Sequence, residues 1–234
     1  MAEPEFAPEA MLRELLALQN PEARQARLAL AIESSSGDEI DALLSAVKDV
    51  SEQHLVADAG VSLSLANLLV HGAELVDQPR HRALGLLAKA DALRIQGQFA
   101  AAVELYEQAG RLCLQLDDGI TWARTRTGWV LAMHYLGRGQ EALPTAEQAY
   151  RVLFEAGEWL RAGGLSLNSG LVCYELGQYS RSNELYQRAL ELYQRAAAAR
   201  PELADRARER IARAQTNMAL NSALLGDFSS AIAL

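Results

Sequence analysis

Gly97, Gly137 and Gly177 stand 40 residues apart, and each interrupts a run of strong helix formers: RIQGQFAAAVELYEQA, HYLGRGQEALPTAEQA and YELGQYSRSNELYQRAL. Glycine reaches φ > 0 without a Cβ clash and so ends a helix at its C-cap. The same stop therefore occurs once per structural unit. Aligned on these glycines, Ala90, Val130 and Gly170 fall seven residues earlier, and Ala102, Ala142 and Ser182 five residues later. Tyr106, Ala146 and Tyr186 share another column, as do Ala109, Ala149 and Ala189. Two antiparallel helices approach closely only where side chains are small. The columns predict a tight helix pair, repeated along the chain.

Composition supports an all-helical chain. Half of the 234 residues are hydrophobic and only 6% aromatic, with Ala, Leu, Glu, Gln and Arg prominent; all five are good helix formers. No apolar run reaches the roughly 18 to 20 residues that a membrane span needs. The acidic, proline-containing start MAEPEFAPEA lacks the basic and apolar regions of a secretory signal, so a cytoplasmic location is expected. Net charge is −8, and residues 1–60 account for all of it with 12 acidic and 4 basic side chains, whereas residues 61–234 hold 18 of each. A phosphate-neutralising face for nucleic acid is not expected from that balance.

Residues 1–9 read as a disordered lead-in and 10–78 as an N-terminal cap of four helices. Asn20 suits an N-cap and Pro21 the first position of the second helix, and SSSGD at 34–38 reads as a loop. The cap is expected to cover the apolar face of the first repeat. Repeats occupy 79–234, at about 80–117, 118–157, 158–198 and 199–234. The fourth is marked by Ala219, Gly226, Phe228 and Ala231, and its glycine lies 49 residues after Gly177. The insertion falls in AAAARPELADRARER, where Pro201 is expected to start a lengthened first helix.

These columns resemble the tetratricopeptide repeat (TPR), a helix, turn and helix with small residues at set positions and an aromatic in the second helix. Leu176, Gly177, Tyr179, Tyr186 and Ala189 carry the best match. Gly97, Phe99, Ala102, Tyr106 and Ala109 follow, while the Gly137 unit departs with Gly139 and Ala146 at the aromatic positions. The resemblance implies a right-handed α-solenoid of antiparallel helix pairs. The family period of about 34 residues is exceeded by six, equivalent to about 9 Å of extra helix per pair. The proline that usually closes the second helix is absent at Leu114, Phe154 and Gln194.

No phosphate loop, dinucleotide fingerprint, zinc-protease helix or nucleophile elbow occurs, so no catalytic residue, metal or cofactor is expected. Cys113 and Cys173 sit in separate amphipathic stretches and read as packed hydrophobes. Asp117 and Asp118 read as helix-starting charges, and Trp122, Trp129 and Trp159 as packing between helices. The TPR resemblance places a binding face on the first helix of each pair. It selects Leu84, Leu87, Asp91 and Arg94, then Arg124, Thr127, Leu131 and His134, then Gly164, Leu167, Leu171 and Tyr174. Asn168 and Asn217, nine residues before their glycines, lie beside that face with amides suited to a peptide backbone. The candidate partner-binding set is Asp91, Arg94, Arg124, Thr127, His134, Asn168, Tyr174 and Asn217.

WARTRTGWVLAMHYLGRGQEAL, with the long period and helical cap, resembles bacterial proteins in which such repeats precede a caspase-like CHAT domain. That resemblance implies a protein- or peptide-binding sensor arm without enzymatic activity of its own, and a peptidase domain elsewhere. The effector-binding region of a large transcription regulator and a free-standing scaffold are the alternatives. The sequence ends at Leu234 inside the fourth unit, so a longer protein is expected. The apolar end would also offer a surface for self-association.

Overall fold

Apolar residues at helical spacing, with caps between them, form eleven α-helices among residues 8–227, the part of the chain that the computed structural model describes. Residues 1–7 of the lead-in, and the Phe228 and Ala231 columns, lie outside the described residues. No strand occurs among the described residues, and the fold is all-α, of the α-solenoid type. It divides into two compact units, Met1–Asp118 and Gly119–Leu234.

The first unit contains α1 (Pro8–Ala17), α2 (Pro21–Glu33), α3 (Gly37–His54), α4 (Ala59–Leu75), α5 (Pro79–Ile95) and α6 (Phe99–Gln115). Asn20 caps α2 as expected, its Oδ1 accepting from the Glu22 amide at 2.7 Å, with Pro21 at the first helical position. The predicted SSSGD loop is shorter than its composition suggests, because α3 begins at Gly37 within it. Glu39 explains the early start: Oε2 accepts from the Ser36 amide at 2.7 Å and from its hydroxyl at 2.8 Å. Asp58 caps α4 through the Gly60 and Val61 amides, both at 3.0 Å. Leu15, Leu28, Leu43, Leu44, Val47, Leu65 and Leu69 are buried together as the core where α1 to α4 meet.

The second unit contains α7 (Gly119–Tyr135), α8 (Gly139–Glu155), α9 (Trp159–Glu175), α10 (Tyr179–Ala199), a single 3-10 turn at Pro201–Leu203, and α11 (Ala204–Leu224). Leu167, Tyr186, Ala189, Tyr193, Ala207 and Ala214 form the core of α9 to α11. The insertion is not confined to one helix. Whereas α5 to α9 are each 17 residues, α10 and α11 are each 21. Pro201 opens the 3-10 turn, and the lengthened first helix itself begins at Ala204.

All twelve residues of the four aligned columns are buried. The contact is closest at Gly170, where a Cβ would lie 2.5 Å from Tyr186 Cε1. The Ser182 hydroxyl, one turn earlier on α10, donates to the Gly170 carbonyl at 2.7 Å. Small residues are thus required where the tyrosine of the second helix lies against the first.

The turn device recurs more often than the glycines alone suggest. Left-handed residues occur at Asp77, Gly97, Asp117, Gly137, Gly157 and Gly177, with φ between 50 and 78°. Each is followed by an amide that donates back five residues, as from Gln98 to Leu93 at 2.9 Å and from Asp118 to Cys113 at 2.9 Å. That pair of features is the Schellman cap. It closes second helices as well as first ones, which accounts for the missing proline after α6 and α8. Asp117 consequently ends α6 rather than beginning the next helix, and Asp118 lies 3.9 Å from Arg80.

Candidate functional site

Within each unit the first helices of successive pairs pack on one another. In the first unit α1, α3 and α5 pack successively on one another, and in the second unit α7, α9 and α11 do the same. Within the second unit α8 and α10, on the other side, pack mainly on the odd-numbered helices. Each unit therefore presents a continuous face of odd-numbered helices, and the candidate residues are on those helices.

Asp91 and Arg94 are brought together, but around a packing group. The Tyr106 hydroxyl, fully buried, donates to Asp91 Oδ1 at 2.6 Å and accepts from Arg94 Nε at 3.2 Å. Burial pushes the Tyr106 phenol well above its ordinary range, the Asp91 charge adds to the rise, and the Arg94 charge opposes it. The two charges thus hold a buried hydroxyl at the α5–α6 seam.

In the second unit, Asn168 Nδ2 donates to the Thr127 carbonyl at 2.8 Å and fastens α9 to α7. Arg124 is half-buried one turn before Thr127 on the same side of α7. His134 and Tyr174 lie near the turn ends of their helices, half-buried, with ring contacts to Tyr135 at 5.2 Å and Tyr179 at 5.7 Å. Asn217 is half-buried on α11. The fully buried Asn221, not Asn217, reaches toward α10, its amide 3.5 Å from the Tyr179 carbonyl.

Two features escaped the sequence reading. Arg210 of α11 extends over α9, where Nη1 lies 3.1 Å from the position a Gly164 Cβ would occupy, and Thr127 Cγ2 lies 3.7 Å from it. The TPR register stops 13 residues before the turn glycine, at Arg213. The four extra residues of α11 add another turn to the same stripe, where Arg210 stands. The second is on the other side: Arg188 donates through both Nη atoms to Glu147 Oε2 at 3.1 Å, donates to Ser166 Oγ at 3.1 Å, and covers the Tyr150 ring at 3.7 Å. It joins α8, α9 and α10, a packing role.

The first unit also has an open groove of about 480 Å³ between α2 and α4, lined by Arg24, Gln25, Ser64, Asn67, His71 and Glu74 among others. Arg24 is committed to its walls, donating to the Leu18 carbonyl at 2.7 Å and to Ser64 Oγ at 2.9 Å.

Cys113 and Cys173 are both buried. Burial raises the Cys173 thiol above its ordinary range, opposed by the Arg181 charge. Trp129 is buried and Trp122 half-buried, with the Arg126 guanidinium 5.1 and 5.7 Å from their rings. Among the described residues, no group of three His, Cys, Asp or Glu stands close enough to hold a metal ion, and no helix is long and apolar enough to cross a membrane.

No known family's sequence model and no curated protein matches the chain. The chain is similar in structure to BtubC (BKLC) from P. vanneervenii, with a TM-score of 0.65 at 18% identity over 99% of this chain and 88% of that one. The fold is that of a helical-repeat protein. At that identity the likeness speaks for architecture alone, and the face of odd-numbered helices must be read from its own residues.

Proposed function

We propose that this chain is a protein- or peptide-binding scaffold of TPR type, without enzymatic activity of its own, whose binding surface is the face of odd-numbered helices. The observation that carries this reading is the arrangement of α7, α9 and α11. Their successive packing, with Arg124, His134, Tyr174, Asn217 and Arg210 half-buried on these helices, supports a shared binding surface. Side chains of that kind, presented by rigid helices, can pair with a backbone and anchor side chains at modest entropic cost. The resemblance of residues 122–143 to sequences preceding CHAT domains supports a finer assignment, the recruitment arm of a larger cytoplasmic bacterial protein. In that setting a separate caspase-like domain would supply the chemistry.

Panning a random phage-displayed peptide library on the purified chain tests this. Recovered peptides should bind the wild type and lose at least about tenfold in affinity to a His134→Ala, Tyr174→Ala double variant of unchanged helicity. Recovery of no binder, or of binders indifferent to that variant, refutes the assignment. The chain should not hydrolyse peptides, and cleavage abolished by Cys113→Ala or Cys173→Ala would show the opposite.

A further inference from the structure

Charge is distributed unevenly between the units and within the second. Residues 1–118 hold 19 acidic and 9 basic side chains, whereas residues 119–234 hold 11 acidic and 13 basic. Within the second unit, α7 carries Arg124 and Arg126 and no carboxylate at all. Together α7, α9 and α11 hold seven arginines against Glu175, Asp205 and Glu209, while α8 holds three glutamates against Arg151. Arg126 is buried against Trp122 and Trp129, Arg161 pairs with Glu158 at 3.0 Å and Arg208 with Asp205 at 2.8 Å, so the excess lies chiefly on α11, where Arg206, Arg210 and Arg213 recur at helical spacing beside Glu209. An acidic protein thus concentrates positive charge on α11, at one edge of its second-unit face.

The centre of that charge is Arg210. Its guanidinium is half-buried and has no carboxylate within ion-pair distance among the described residues. Its near neighbours are the Tyr193 ring, 6.0 Å from the guanidinium carbon, and the bare backbone of Gly164. Gly164 is buried beneath the cation, and the absence of a side chain there lets the guanidinium lie close against α9. Asn168 lies one turn further along α9, Thr127 stands on α7, and Arg213 follows one turn later on α11.

The geometry points to an acidic, extended peptide segment as the occupant of this face, with a carboxylate on Arg210 above Gly164. A guanidinium presents a planar fork of donors that matches a carboxylate bidentately. A partly desolvated cation gains more from such a pair than an exposed one. The surrounding excess of arginine selects against basic segments through like-charge repulsion. This inference rests on the reading of the chain as a peptide-binding scaffold and specifies the chemistry of what it binds.

The same library selection distinguishes the two. Peptides recovered on the wild-type chain should be enriched in Asp and Glu, and should weaken as salt is raised. Arg210→Gln, which keeps much of the side-chain stem over Tyr193, should cost about tenfold or more in affinity, in keeping with the loss of a charged hydrogen-bonded pair. Arg210→Lys should retain part of it. Gly164→Ala, whose new methyl would lie 3.1 Å from Nη1, should displace the guanidinium and weaken the same peptides with helicity intact. Binders that are neutral or basic, or acidic binders equally tight on Arg210→Gln and on Gly164→Ala, overturn this inference while leaving the scaffold reading in place. Displacement of the acidic peptides by a single-stranded DNA oligonucleotide that binds more tightly than they do overturns it also. Absence of any binder removes the scaffold reading and the inference together.

Discussion

Replacing Gly170 by alanine isolates the contact on which the repeat columns depend. The added methyl would sit 2.5 Å from Tyr186 Cε1 and 2.6 Å from Cδ1, about 1 Å inside ordinary carbon contact. The ring cannot withdraw freely, since Tyr186 is 1% exposed and Ser182 fastens the same stretch of α10 to the Gly170 carbonyl. Overpacking of this kind costs about 1–3 kcal/mol. Alanine also gains about 1 kcal/mol of helix propensity over glycine, so the net loss should be about 0–2 kcal/mol. In a Tyr186→Ala background, itself destabilised by about 3–5 kcal/mol, the obstacle is gone and only the propensity gain remains. Gly170→Ala should then stabilise by about 1 kcal/mol. Urea titrations of the four proteins by far-ultraviolet circular dichroism give the comparison, taken as shifts of the second-unit transition because stacked repeats need not unfold in one step. A Gly170→Ala midpoint above wild type, or an equal shift in both backgrounds, would refute the reasoning.

The turn glycines make a different demand. Gly177 has φ 70° and nothing within 4 Å of its would-be Cβ, so Gly177→Ala should cost about 1–2 kcal/mol through backbone strain alone. Gly37→Ala, equally uncrowded but without positive φ, should be neutral or slightly stabilising; equal midpoints for the two variants would contradict this. At alkaline pH the buried phenols control stability. Burial chiefly pushes Tyr186 up to about 12, and Tyr106 and Tyr193 are raised too. Unfolded tyrosine ionises near pH 10. A folded value above the unfolded one leaves that stability intact below about pH 10, and it is lost as pH rises through the folded values. The urea midpoint should therefore fall from about pH 10 upward, less steeply in Tyr186→Phe, and a level midpoint across that range would refute the assignment.

The repeat was legible because its signals are local. A glycine that must adopt positive φ and small residues that must face another helix recur at fixed offsets, and all twelve column residues are buried. Half of the period stayed hidden. The turns at Asp77 and Asp117 use aspartate, with φ of 50 and 53°, in the role that Gly97 and Gly137 play. Aspartate tolerates that conformation better than most residues, yet in sequence it reads first as a helix-starting charge. Gly157 was available to the eye, and with it the true interval of 20 residues per helix could have been seen.

The candidate face was less legible, for a reason that lies in helix length. A register counted back from the turn glycine finds positions only as far as the standard helix extends. Lengthening α10 and α11 together, from 17 to 21 residues, keeps their antiparallel pairing while adding a turn to the stripe, and Arg210 occupies that turn. Gly164 then matters not as a conformational device but as a gap, since any side chain there would approach the guanidinium of a helix 46 residues later in sequence. Neither residue signals its role alone. The packing of α9, α10 and α11 that joins them is made by core side chains such as Leu167, Tyr193, Ala207 and Ala214, which leaves Arg210 open to substitution with little effect on the stack. On the proposed reading, recognition varies independently of the repeat, and charge-altering substitutions at Arg210 should change binding far more than they change the unfolding midpoint.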